Sequence, residues 1–240
     1  MQAVFEKGLS VIEQIQRTQM PALKKGAKLI AEAFSQGKHF FVSGSGHSHT
    51  VAEEFYGRAG GLAFVIPILT SELTLTDHPQ KSTYLERLSG YAAILAELYH
   101  ISSGDVVLIA SNSGRNAYPV ELALEAKKRG ARVIAITSLA HTKSVSARTK
   151  TKQRLCEVAD IVIDNCGQPG DACLEVTGVA TKMCPTSSMA NAFIVQALSV
   201  GCAEILAQNK VEVPVFASAN SDGNDVKNQL YFEKYTRLYY

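Results

Sequence analysis

The chain of 240 residues lacks the compositional extremes that mark nucleic-acid-binding and membrane proteins. Its formal net charge is only +2, so the charge balance calls for no nucleic-acid partner. No apolar run reaches transmembrane length, and the N-terminus has no signal-peptide core, so we expect no membrane partner. With 46% hydrophobic and 19% charged residues, the composition predicts an ordinary globular protein of the cytoplasm.

The cysteines form no CxxC pair and have no close histidine partner. An odd number at irregular spacing is typical of reduced thiols rather than of disulfides or a zinc site. We therefore expect no structural metal and no other cofactor. The cysteines are Cys156, Cys166, Cys173, Cys184 and Cys202.

Two apolar strands that each run into a glycine/serine turn are the most informative feature. The first strand, 38–43, leads into Gly44-Ser-Gly-His-Ser48, and the second, 105–111, leads into Ser111-Asn-Ser-Gly114. In an open α/β sheet, such turns point backbone N–H groups and a helix N-terminus at an anion. Two such turns predict a phosphorylated small molecule held between them.

The first turn does not fit a dinucleotide-binding fingerprint, because His49 stands where the third glycine is required. Gly46 allows the backbone to turn tightly and a ligand to approach. The hydroxyls of Ser45 and Ser48 can both donate and accept hydrogen bonds, as the binding of a polyol requires. This turn is therefore predicted to hold the sugar part of a ligand.

The second turn is followed by Asn116, which can cap a helix, and by Pro119 in the first helical turn. A phosphate bound there would meet hydroxyl groups, free amides and the positive end of the helix dipole. The predicted phosphate-binding residues are Ser111, Ser113, Gly114 and Asn116.

Alternation of apolar strands and helices predicts an α/β fold, a three-layer α/β/α sandwich with a doubly wound, mainly parallel sheet of about five strands. Residues 1–37 are predicted to form two helices separated at Met20-Pro21. Residues 38–207 form the core of a single domain, and 208–240 an ordered tail that packs its aromatic side chains. The core strands are predicted at 38–43, 63–67, 105–111, 132–137 and 160–163, and the helices at 50–58, 82–99, 117–129 and 187–207.

In this context the chain resembles the SIS (sugar isomerase) domain family of phosphosugar isomerases and phosphosugar-binding regulators. The resemblance rests on Gly44-Ser-Gly-His-Ser48, on Gly104-Asp105 leading to Ser111-Asn-Ser-Gly114, and on Val133-Ile-Ala-Ile-Thr-Ser138. It covers roughly residues 38–207. It implies a phosphorylated sugar as ligand and a homodimer or homotetramer with the site at the subunit interface.

The stretch Val51-Ala-Glu-Glu-Phe-Tyr-Gly-Arg58 is similar to a helix of phosphoheptose isomerases that carries their catalytic glutamate. The resemblance places that base at Glu54, with Glu53 beside it as a sugar-binding candidate. Histidines that those enzymes carry on the last core helix are missing, and Asn191 or Gln196 stands in their place. The departure leaves the acid/base partner open.

The histidine candidates for that partner are His47, in the first turn, and His78, in the loop after the second strand. Glu86, on the helix that follows, is a weaker candidate that we expect on a solvated face. The basic segment 141–154 is predicted to be a surface loop or a flap over an anionic ligand, and the loop 164–171 could line the cleft.

These observations favour a sugar-phosphate isomerase that works through an enediolate. A non-catalytic phosphosugar-binding module is the first alternative. An etherase or lyase acting on a phosphorylated amino sugar is the second.

Overall fold

The computed structural model describes residues 1–236, and its centre is a parallel β-sheet of five strands in the order β2-β1-β3-β4-β5. The three central strands are buried along almost their whole length. This confirms the predicted α/β fold with a doubly wound sheet. The sheet strands are β1 (Phe40–Gly44), β2 (Val65–Ile68), β3 (Val106–Ala110), β4 (Arg132–Thr137) and β5 (Ile161–Asp164).

Helices cover both faces of the sheet and create two apolar cores. One core lies between the sheet and α1, α2 and α8, and the other lies under α4, α5 and α7. A small antiparallel hairpin, β6 (Ala172–Leu174) and β7 (Met183–Pro185), stands outside the main sheet. The helices are α1 (Gln2–Ser35), α2 (Thr50–Phe55), α3 (Lys81–Glu86), α4 (Tyr91–Leu98), α5 (Ala117–Lys128), α6 (Leu139–Ser144), α7 (Leu155–Val158), α8 (Ser187–Gln208) and α9 (Asp225–Tyr235).

The predicted break at Met20-Pro21 is wrong, because α1 continues through Pro21. A proline inside a helix costs about 3 kcal/mol or more through a lost hydrogen bond and a steric clash. Apolar side chains on both sides of the proline, such as Ile15 and Leu23, are buried in the core that α1 shares with α8. Burial along the whole length of α1 outweighs the local cost.

The helix predicted at 82–99 is two helices, and this correction matters for the site. Gly90 adopts a left-handed φ of +94° between α3 and α4. Its N–H and the hydroxyl of Ser89 each donate to the carboxylate of Glu121, at 2.7 Å in both cases. The first helix, α3, therefore ends at Glu86, and the chain turns through Gly90 before α4 begins. The helix predicted at 50–58 likewise ends early, at Phe55, before Gly57 turns the chain with a φ of +67°.

The segment after α8 packs against the start of β2. Leu62 and Val215 form an isolated antiparallel bridge, and Phe216 is buried against Phe232 with ring centroids 4.7 Å apart. Tyr231 and Tyr235 also contact each other. Two aromatic residues of the predicted tail 208–240, Tyr239 and Tyr240, lie outside the described residues.

Helix α8 is long and apolar enough to cross a membrane by length and composition, contrary to the prediction that no run reaches that length. Its apolar character has a local explanation. Ile194, Leu198 and Cys202 are fully buried in the core that α8 shares with α1 and α2.

Candidate functional site

The two glycine/serine turns lie side by side at the point where the strand order reverses. The chain passes from β1 outward to β2, then crosses back to β3 on the other side of β1. Gly44, at the end of β1, is in register with Ala110, at the end of β3. Ligands of open α/β sheets bind in the crevice at such a switch point, outside the carboxyl ends of the strands.

The second turn is held rigidly by hydrogen bonds from the elements around it. Thr142 Oγ1 donates to the Ser113 carbonyl at 2.6 Å, and Leu155 N donates to the Gly114 carbonyl at 2.8 Å. Gly114 N donates to the buried hydroxyl of Ser111 at 3.2 Å. Gly114 has a φ of +57°, and a Cβ there would lie 3.2 Å from atoms of Leu155 and Thr142. The turn therefore needs glycine at this position.

Asn116 occupies the N-cap position of α5, but in the described structure its side chain does not cap the helix. Its Oδ1 instead accepts a hydrogen bond from Arg148 at 3.3 Å, and its side chain lies near the carboxyl group of Glu86. The predicted side-chain cap is therefore wrong. The Asn116 side chain therefore does not occupy the N–H groups at the start of α5, which suits the binding of an anion there.

Glu86 lies between the two turns, and its predicted place on a solvated face is wrong. Its partly buried carboxyl group lies near the side chains of Asn116 from the second turn and Ser45 from the first. Burial raises the pKa of Glu86, while these two side chains and the nearby Arg87 and Arg148 act against the rise. A carboxyl group that lies near both turns is placed to contact any molecule bound between them.

Three arginines surround the second turn. Arg148 N donates to the Arg115 carbonyl at 2.8 Å, and Arg115 Nε donates to the Ser146 carbonyl at 2.8 Å. Burial lowers the pKa of Arg115, and the positive charges of Arg148 and Arg87 lower it further. Segment 141–154 thus brings Arg148 to the turn. A bound anion would relieve the mutual repulsion of the three arginines.

The first turn is as tightly constrained as the second. A Cβ at Gly44 would lie 2.2 Å from the carbonyl oxygen of Ser48, and Gly46 has a φ of +54°. His49 is buried, with Nδ1 at 2.5 Å from the Gly46 carbonyl and Nε2 at 3.2 Å from Glu53. His49 and Glu53 therefore support the turn, and Ser45 is the buried hydroxyl that reaches the crevice.

The predicted histidine candidates are both exposed. His47 lies in the 3-10 turn Gly46–His49, and its carbonyl accepts a hydrogen bond from Thr50. His78 lies before α3, and its Nδ1 accepts a hydrogen bond from Gln80 N at 3.2 Å. The described contacts join neither ring to Glu86, Ser45 or Asn116.

Glu54 lies on the side of α2 that faces α8. Its Oε1 accepts a hydrogen bond from Gln196 Nε2 at 2.6 Å, and its other oxygen forms an ion pair with Arg58. Gln196 is one of the two residues that stand where phosphoheptose isomerases carry histidine. Glu54, the glutamate that the resemblance indicates as the base, is thus hydrogen-bonded to α8, the last core helix.

The loop after β5 also reaches the second turn. Asn165 Nδ2 donates to Asn112 Oδ1 at 3.0 Å and to Asn191 Oδ1 at 3.1 Å. Sequence spacing did not indicate this contact, because the three asparagines come from three separate elements.

His141 also contacts the loop after β5, since its Nδ1 accepts a hydrogen bond from Gly170 N at 3.1 Å. Burial lowers the pKa of His141, and Arg115 lowers it further, while the charge of Asp171 acts in the opposite direction.

Within residues 1–236, no group of three or more His, Cys, Asp or Glu side chains is arranged to hold a metal ion. The polar groups described around the two turns are hydroxyls, amides, arginines and the carboxyl group of Glu86, while Glu54 lies on α2 beside Gln196.

Comparisons with known proteins show the family and the fold. The SIS domain model matches residues 5–138. A UPF0309 protein from Halalkalibacterium halodurans is 44% identical over 227 residues, which cover 95% of this chain and 94% of that protein.

Solved structures share the fold at low sequence identity. A phosphoheptose isomerase from Francisella tularensis has a TM-score of 0.55 at 17% identity, covering 85% of this chain and 96% of that one. The NanR protein of Vibrio vulnificus, solved in complex with ManNAc-6P, has a TM-score of 0.53 at 15% identity, covering 87% of this chain and 64% of that one.

Proposed function

We propose that this chain, which belongs to the SIS domain family, binds a phosphorylated sugar between the turns that follow β1 and β3. The observation that carries the proposal is the meeting of both turns at the switch point of the sheet, with the Glu86 carboxyl group near Ser45 of one turn and Asn116 of the other. The complex of NanR with ManNAc-6P supports the same class of ligand.

The phosphate group is assigned to the second turn. Ser111, Ser113, Gly114 and Asn116 surround the start of α5, where the helix dipole favours negative charge. The arginines around this turn add positive charge. The sugar hydroxyls are assigned to the first turn, through Ser45, Gly46, Ser48 and Glu53.

We further propose that the bound sugar is isomerised through an enediolate. A base takes the proton from the carbon next to the carbonyl and returns it to the adjacent carbon, while a second group moves a proton between the two oxygens. Glu54, which is paired with Arg58, is assigned as the base. Glu86 is assigned as the acid, because its raised pKa favours the protonated form. His47 and His78 are the alternative acids.

The active form is proposed to be a homodimer or homotetramer with the site at the subunit interface. An apolar groove of about 480 Å³ runs between α1 and α8. Phe193 and Val200 line it and are each more than half exposed, at 54% and 57%. Gln196, the partner of Glu54, lies in the same groove. A second copy covering the groove would therefore lie against the proposed base.

A thermal-shift screen tests the proposed ligand. Each sugar phosphate is compared with the same sugar without its phosphate, because a ligand that binds only the folded state raises the melting temperature. We expect a shift with at least one phosphorylated sugar and none with its unphosphorylated form. Equal shifts for both forms would remove the phosphate assignment.

The same ligand then separates the competing functions. Conversion to an isomeric sugar phosphate supports the isomerase. Binding without conversion would instead support the non-catalytic module, and release of a side chain from an amino sugar phosphate would support the etherase or lyase.

A further inference from the structure

Two cysteines face each other across the β6–β7 hairpin. Ala172 pairs with Pro185, and Leu174 pairs with Met183, in an antiparallel register. Cys173 is therefore directly opposite Cys184. The two residues are in contact, since the Cys173 thiol donates a hydrogen bond to the Cys184 carbonyl oxygen at 3.2 Å. Burial and the neighbouring Cys184 side chain raise the pKa of the Cys173 thiol.

Opposed residues in antiparallel strands have Cα atoms about 4.5–5.5 Å apart. A disulfide needs a Cα separation of about 4.4–6.8 Å. The register of the hairpin thus places Cys173 and Cys184 opposite each other, at the spacing that a disulfide spans. Both residues are only partly buried, so a small oxidant can reach them.

The hairpin is also tied to the helix that contacts the candidate site. Asp171, just before β6, accepts hydrogen bonds from Thr186 N at 3.1 Å, Ser187 N at 2.9 Å and Ser187 Oγ at 2.5 Å. Those groups form the beginning of α8. One turn further along, Asn191 contacts Asn165. A covalent bond across the hairpin would fix the segment from which α8 starts.

We propose that Cys173 and Cys184 form a reversible redox pair, which a peroxide oxidises to a disulfide. One thiolate attacks the peroxide and becomes a sulfenic acid while one water or alcohol leaves. The second thiol attacks that sulfur, and a water leaves as the disulfide forms. The peroxide is reduced by two electrons, and a dithiol reductant returns both thiols. In a reducing compartment, such a bond is transient and redox-sensing rather than structural.

The test oxidises the folded full chain with one equivalent of hydrogen peroxide, blocks the remaining thiols with an alkylating reagent, and maps tryptic peptides by mass spectrometry. Cleavage after Arg154, Lys182 and Lys210 places Cys173 in peptide 155–182 and Cys184 in peptide 183–210. We expect these two peptides to be linked and to separate after dithiothreitol. The linked mass should be about 2 Da below the sum of the two reduced peptides, once the alkyl groups on the other cysteines are counted.

Matched variants assign the bond, because each peptide carries other cysteines. Cys173→Ser and Cys184→Ser should each abolish the link, whereas Cys166→Ser and Cys202→Ser should leave it intact. Circular dichroism of each variant checks that it is folded. A link that survives in Cys173→Ser, or folded wild-type chain that shows only separate oxidised cysteines, would overturn the proposal.

Discussion

At the scale of single residues, the structure places Glu54, the predicted base, and Glu86, the weaker candidate, in different environments. Glu54 is joined to Gln196 and Arg58 on the α8 side of α2. Glu86 lies at the end of α3, partly buried near Ser45 and Asn116. Carboxyl groups in such different environments are suited to different roles in proton transfer.

The Glu54→Gln variant tests the proposed base. Because the amide cannot accept the carbon-bound proton, we expect turnover of the sugar phosphate to fall by about 100-fold or more. Ligand affinity should change little. Glu32→Gln is the control, since Glu32 is an exposed glutamate on α1 that pairs with Lys28, away from both turns. Normal turnover in Glu54→Gln would show that another group is the base.

The raised pKa of Glu86 predicts a pH dependence of stability. Below the pKa of Glu86 in the unfolded chain, the group is protonated in both states and carries no penalty. As pH rises through the higher pKa of the folded state, ionisation of the partly buried group costs stability. Glu86→Gln should therefore gain stability relative to wild type between acid and neutral pH.

Urea unfolding at a series of pH values measures this difference. Glu6→Gln, at an exposed position on α1, is the control and should show no such trend. A Glu86→Gln curve parallel to that of wild type at every pH would contradict the proposed burial.

At the scale of elements, the second turn depends on one glycine. Gly114→Ala places a Cβ 3.2 Å from Leu155 Cβ and Thr142 Oγ1 in a backbone with φ of +57°. A left-handed conformation costs a non-glycine residue about 1–2 kcal/mol, and the close contacts add to that cost. We expect Gly114→Ala to lower the free energy of unfolding by more than this.

Gly37→Ala is the matched control for the turn. Gly37 has a φ of +70° but no atom within 4 Å of an added Cβ, so it carries the backbone cost alone. Equal losses of stability in the two variants, measured by denaturant unfolding, would show that the contacts around Gly114 are unimportant.

The elements also show where sequence patterns were sufficient. Alternating apolar runs predicted every strand of the main sheet, because a buried parallel strand is recognisable from its own residues. The ends of α3 and the continuity of α1 were not predicted. They depend on Glu121 bonding to the break before α4, and on α8 packing along α1, which are contacts between distant parts of the chain.

The same limit applies to the candidate site. Both turns could be found from local sequence, since glycine and serine at a strand end mark them directly. The contacts of Glu86 could not, because they exist only after α3 is placed beside the first turn and α5. Asn116 was expected to cap α5 but instead contacts Arg148 and lies near Glu86. These contacts also exist only after distant parts of the chain have come together.

At the scale of the whole molecule, the exposed groove between α1 and α8 predicts self-association. Val200→Asp places a charge on this apolar surface, and we expect it to shift the chain from dimer or tetramer to monomer in light scattering coupled to size-exclusion chromatography. Val226→Asp, at an exposed valine on α9, is the control and should leave the mass unchanged. An oligomer that persists in Val200→Asp would place the interface elsewhere.

The central claim is that the turn after β3 holds the phosphate of a sugar, and calorimetric titration of the sugar phosphate into the Ser111→Ala/Ser113→Ala double variant tests it most directly. Loss of hydrogen bonds to a charged group should weaken binding by about 10-fold or more. Ser10→Ala, at an exposed serine on α1, should bind like wild type. A dissociation constant in the double variant equal to that of wild type would contradict the account.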